Sequence, residues 1–164
     1  MEMNLGYANK TDRPSIRFWP AYLCFLVFGL LIPFSKPEYG AVTFLLSILL
    51  ALVMGLLAVN VLIGVFNSSN KALLAESGSQ FAKEAVQTGM LFMIPFTVLA
   101  ALAQLLLGWN AVMPFASAAI MTACATAGTE VMKKGAQGVK NIMIPSAIAF
   151  LLSTSWMILV GIMP

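Results

Sequence analysis

The chain has 164 residues, of which 60% are hydrophobic and only 9% are charged, and its net charge is +3. A soluble domain carries roughly 25% charged residues, so too few polar side chains remain here to cover a surface that faces water. This composition excludes an ordinary soluble domain. It also argues against a nucleic-acid partner, because the basic residues lie in short segments between apolar runs, where they set membrane orientation.

The first apolar run follows a polar N-terminal arm, residues 1–17. The run covers residues 18–34, and at about 17 residues it is near the lower limit for crossing the hydrocarbon core of a bilayer. Trp19 and Tyr22 near its start are typical of the interface between membrane and water. We interpret this run as the first membrane span.

Four further apolar runs predict four more spans, at about 41–66, 89–109, 111–131 and 142–163. Together with the first run they predict an all-α, polytopic membrane helical bundle in one domain, residues 18–164. The segment 67–88 between the second and third spans has two short helical patterns and predicts an amphipathic connection on the cytoplasmic side. The third and fourth spans could instead form a re-entrant hairpin, because their flanks would lie on the same side in either arrangement.

The basic residues predict the orientation of these five spans. With the N-terminus in the cytoplasm and the C-terminus outside, eight of the nine Lys and Arg residues fall in cytoplasmic segments, and only Lys36 falls outside. Cytoplasmic loops carry such an excess of Lys and Arg. The pattern predicts a multi-pass protein of the cell membrane and fits a bacterial inner membrane.

The fourth span is the most distinctive stretch, because small residues replace the large apolar ones there. Ala119, Ala123 and Ala127 recur every four residues and therefore line one strip of a helix. Hydroxyl side chains lie on or beside this strip, at Ser117, Thr122 and Thr126. Small residues let helix backbones approach closely in a membrane, and hydroxyls can hydrogen-bond across the contact. We predict that this helix is the centre of the bundle.

Three other polar residues within the spans have two interpretations each. Asn60 and Gln104 are uncharged amides that can hydrogen-bond a neighbouring helix, or can face a polar path together with the hydroxyls of the fourth span. Glu130 is followed by lysines three and four residues later, which favours an interfacial ion pair. The alternative for Glu130 is a site for a coupling ion or a proton.

The sequence contains no pattern that predicts catalysis or a cofactor. It has no histidine, its two cysteines lie on different spans, and its six acids include no pair at helical spacing, so neither a metal site nor a two-carboxylate site is predicted. Of the acids, only Glu130 lies near membrane depth. We therefore predict that the protein is not an enzyme.

The simplest function for such a chain is structural. We predict a non-catalytic subunit of a larger membrane assembly, such as a secretion, conjugation or transport complex, which packs through the small residues of the fourth helix. Its expected partners are the lipid bilayer and either other membrane subunits or further copies of itself. The alternative is a small oligomeric channel or transporter for a neutral or weakly charged solute, with its path along the same helix.

Overall fold

The computed structural model describes residues 18–34, 40–107, 112–136 and 138–162, with side chains to residue 160. This part of the chain is helical, with no strand. It forms seven helices, which are α1 (Trp19–Phe34), α2 (Ala41–Ser69), α3 (Lys71–Ser77), α4 (Gln80–Leu91), α5 (Met93–Leu107), α6 (Val112–Lys133) and α7 (Lys140–Ile162). The predicted arm 1–17 and the end of the predicted third span, residues 108–109, lie outside the described residues.

Four helical stretches are long and apolar enough to cross a membrane: α2, α4 continued by α5, α6, and α7. The remaining predicted span, α1, is apolar but has only 16 residues, which corresponds to about 24 Å along the helix axis. The structure therefore gives an all-helical bundle with four spanning candidates. The predicted total of five depends on α1.

Helix α6 lies at the centre of the bundle. It packs most extensively against α4 and α7 and also against α5, whereas α1 packs between α2 and α5. The core is built from large side chains on α1 and α2, including Phe25, Phe28 and Phe66, and from small side chains on α6. The outward faces of α2, α5 and α7 carry exposed Leu, Val, Ile and Phe side chains, as expected for helices that face lipid.

The structure divides the predicted amphipathic connection 67–88 among three helices. Its first residues extend α2 to Ser69, and α3 has no buried residue, but α4 is packed into the bundle. The apolar and small side chains of α4 recur at helical spacing and bury one face against α6, at Phe81, Ala82, Ala85, Val86, Gly89 and Met90. The polar residues between them, such as Lys83 and Gln87, lie on the opposite face of α4.

The break between α4 and α5 has a clear cause in Pro95. Proline has no backbone N–H, so it cannot donate to the carbonyl oxygen of Leu91 four residues earlier. The chain makes a turn at Phe92, whose N–H bonds the Gly89 carbonyl oxygen at 3.1 Å. The two helices then continue one another through the bundle.

Candidate functional site

The small-residue strip of α6 lies in direct contact with α4. Ala119, Ala123 and Ala127 are each no more than 1% exposed. A Cβ atom added to Gly89 of α4 would lie 2.9 Å from the Cβ atom of Ala127 and closer still to the carbonyl oxygen of Ala123. The two backbones therefore touch at Gly89, and they leave no room for a solute between them.

The opposite edge of α6 makes a second close contact, with α7. A Cβ atom added to Gly128 would lie 2.6 Å from the carbonyl oxygen of Asn141. That oxygen receives no helical N–H from residue 145, because Pro145 has none. The Asn141 carbonyl oxygen lies against α6, and only a glycine at position 128 leaves space for it.

Polar side chains cluster at the end of the bundle where α2 ends, α6 ends and α7 begins, which we call the α3 end. Asn70 Nδ2 donates to Asn141 Oδ1 at 2.7 Å and to the Phe66 carbonyl oxygen at 3.0 Å. Both asparagines are buried. A buried amide needs such partners, since leaving one unpaired costs roughly 1–3 kcal/mol, so this pair fixes the end of α2 to the start of α7.

Two ion pairs lie near the end of α6, at the same end of the bundle as the two asparagines. Lys134, just after α6, contacts Glu84 of α4. Lys133 Nζ lies 2.6 Å from Glu130 Oε1 on the same helix. The structure thus places the partly exposed Glu130 carboxylate in a local ion pair near the end of α6.

The two span amides behave differently from one another. Gln104 Nε2 donates to the Phe34 carbonyl oxygen at 3.4 Å, so α5 supplies a donor to the last turn of α1, whose carbonyl groups have no intrahelical partner. Asn60 is exposed and bonds the Leu56 carbonyl oxygen of its own helix. Only the first of these bonds joins two helices.

The hydroxyls predicted beside the strip have different environments. Thr122 and Thr126 are half-buried, and the Thr126 carbonyl oxygen accepts a bond from Thr129. Ser117 Oγ, Ser153 Oγ and Trp156 Nε1 are buried and have no hydrogen-bond partner among the described residues. Because α6 and α7 run antiparallel with Gly128 opposite Asn141, we expect these three groups at one level of the bundle.

A groove opens on the side of the bundle between α1 and the α4–α5 pair, and we call it the lateral groove. Its volume is about 520 Å³. Nearly all its lining atoms are apolar, contributed mainly by Trp19, Leu23, Val27, Ile94 and Val98. It is large enough to accept apolar side chains of another helix.

Sequence reasoning did not identify the close contacts at Gly89 and Gly128 or the pairing of Asn70 with Asn141. A glycine within an apolar helix indicates a possible close approach, but the partner helix is not encoded locally. Within the described residues, no group of three or more Cys, Asp or Glu side chains lies at metal-binding distance. Comparison of the chain with protein-family models, curated proteins and solved structures finds no significant match.

Proposed function

We propose that the chain is a five-span integral membrane protein that serves as a non-catalytic subunit of a larger membrane assembly. Its N-terminus lies in the cytoplasm and its C-terminus outside. The distribution of its basic residues fits a bacterial inner membrane. Four long apolar helices support the membrane placement, and the position of eight of the nine basic residues supports the orientation.

The observation that carries the structural role is the contact at Gly89. The small residues of α6 meet the backbone of α4 there, so they stabilise the bundle rather than line a path. This contact also moves the expected partner surface away from the alanine strip of α6, because Ala119, Ala123 and Ala127 are already buried within the bundle. The lateral groove is then the best candidate for contact with another subunit of a secretion, conjugation or transport complex.

The test is the mass of the protein after extraction from its native membrane in mild detergent, with identification of the chains that co-purify. We expect a defined complex with other membrane subunits. Val98→Trp fills the lateral groove and is expected to release the partner, whereas Leu46→Trp places the same side chain on an exposed part of α2 outside the groove and leaves the complex intact. A monomer, or a homo-oligomer insensitive to both variants, overturns the subunit proposal.

The second candidate is a small oligomeric channel or transporter for a neutral or weakly charged solute. The unpaired Ser117, Ser153 and Trp156 groups favour it, because a passing polar solute would supply their missing partners. Flux into liposomes that falls on Ser153→Ala while the assembled mass stays unchanged would support this candidate over the first.

A further inference from the structure

The α3 end of the bundle carries a groove that the proposed subunit role does not use. It lies between α3 with the end of α2 on one side and the loop joining α6 to α7 on the other. Its volume is about 710 Å³. Its charged lining residues are Lys71, Lys134, Lys140 and Glu76, so three positive groups face one negative group. We call it the lysine groove.

The lysines reach one groove because the loop reverses sharply. Gly135 and Gly138 have φ angles of +97° and +117°, in the region that glycine adopts readily and other residues rarely do. The reversal returns the chain so that Lys134 and Lys140 line the same space. The bond between Asn70 and Asn141 then holds the α2 side of the groove against the α7 side.

The charge of the lysine groove differs from that of its neighbour. The adjacent groove, about 640 Å³, is lined by Glu76, Glu84 and Lys134, with one positive group facing two negative ones. Lys134 also pairs with Glu84, whereas Lys71 and Lys140 are exposed and have no ion pair in the described part of the chain. An anion is therefore attracted to the lysine groove between these two lysines.

The position of the lysine groove indicates which anion it receives. It lies where the long apolar helices end, at the depth of lipid headgroups when those helices cross a membrane. Beside Lys140, the preceding residue Val139 and two residues in the first turn of α7, Ile142 and Met143, are exposed, which offers an apolar surface for acyl chains. Basic pockets between spanning helices bind anionic headgroups in this way.

We propose that the lysine groove binds the phosphate headgroup of an anionic phospholipid, with its acyl chains along the start of α7. This inference rests on the membrane placement given under the proposed function and is independent of any partner subunit. Lys71 and Lys140 supply the charge, and Ser69 lines the groove beside them with a hydroxyl group that can donate to a phosphate oxygen.

The experiment measures thermal unfolding of the purified full chain in a neutral detergent during titration with phosphatidylglycerol, or with phosphatidylcholine of the same acyl chains. We expect stabilisation by the anionic lipid alone. The apparent affinity for phosphatidylglycerol should fall about 5-fold in Lys140→Gln and about 30-fold in the double variant that also carries Lys71→Gln. Each lysine near an anionic lipid contributes about a 5-fold increase in affinity. Lys83→Gln is the matched control, because Lys83 is exposed at the same end of the bundle but does not line the groove.

Three results would overturn the proposal. Equal losses in Lys83→Gln and Lys140→Gln would mean that only overall charge matters. Equal stabilisation by phosphatidylcholine would mean that the protein does not discriminate between the two headgroups. Inorganic phosphate or glycerol phosphate acting as strongly as the lipid, with the same dependence on lysine, would identify a free phosphate as the ligand. A lone monomer in the mass measurement would refute the subunit proposal without changing these readings.

Discussion

At the scale of single residues, two glycines set how closely α6 approaches its neighbours. Gly89 on α4 allows that helix to contact α6, and Gly128 on α6 allows contact with α7 on another side of α6. Packing without a driving force from water depends on such close approach, because lipid is as apolar as the side chains themselves. The central position of α6 therefore depends as much on residues outside its alanine strip as on the strip.

Gly89→Ala tests this contact. The added methyl group meets backbone atoms, which cannot rotate away as a flexible side chain would, and overpacking of this kind costs about 1–3 kcal/mol. Gly64→Ala is the control, because Gly64 lies within α2 and has no atom near the added Cβ. That variant should be neutral or more stable by about 0.5–1 kcal/mol, from helix propensity alone. The measurement is the midpoint of thermal unfolding in mild detergent, and equal midpoints for both variants would contradict a tight contact at Gly89.

Some of these residue roles could be predicted from the sequence and others could not. The four-residue spacing of Ala119, Ala123 and Ala127 predicts a strip along which another helix backbone can approach closely, and all three side chains are buried. The bond between Asn70 and Asn141 joins residues that are distant in the chain. No local pattern specifies such a pair, since it depends on how α2 and α7 pack.

At the scale of elements, α3 and α4 show how two adjacent helical patterns can have different environments. Both lie in the polar segment between long apolar helices, yet α3 buries no residue and α4 buries half of its length. The difference follows from composition on one face, since α4 has Ala and Gly where it meets α6. Hydropathy averaged over the segment hides that face, because Lys83, Glu84 and Gln87 occupy the other positions.

Amide hydrogen exchange should therefore separate α3 from α4. A seven-residue helix that buries no residue, and packs only Leu73 and Leu74 partly against the core, is only marginally stable, so the amides of α3 should exchange at nearly unprotected rates. The amides of α4 should exchange at least about 100-fold more slowly, because they open only when the contact with α6 opens. The measurement is exchange of the purified chain in detergent, read by mass spectrometry of peptides from 71–77 and 80–91. Similar rates in the two peptides would mean that α4 leaves the bundle surface as readily as α3.

At the scale of the whole molecule, the open question is whether α1 crosses the membrane. Its length of about 24 Å falls short of a hydrocarbon core of about 30 Å, although a bilayer can thin locally around a short span. Half of its residues are buried among α2, α4, α5 and α6. This burial is compatible with a helix that crosses the membrane and with one whose two ends lie on the same side of it.

The basic residues discriminate between the two arrangements. If α1 crosses, the cytoplasmic segments hold eight basic residues and the outer segments hold one. If α1 does not cross, Lys10, Arg13 and Arg17 move outside, and the count becomes five against four. Only the first arrangement agrees with the usual excess of cytoplasmic Lys and Arg, so we expect α1 to cross.

Labelling of single introduced cysteines tests that expectation. A membrane-impermeant maleimide applied to intact cells should label Gly40→Cys, which lies immediately before α2, and should label Lys83→Cys only after lysis. A tag at the N-terminus should resist protease until the cells are opened. The native Cys24 and Cys124 are buried and should contribute little background, which the unsubstituted chain checks. A protease-sensitive tag together with outward labelling of Gly40→Cys would place both ends of α1 outside, and the bundle would then have four spans with its basic arm on the wrong side for the positive-inside rule.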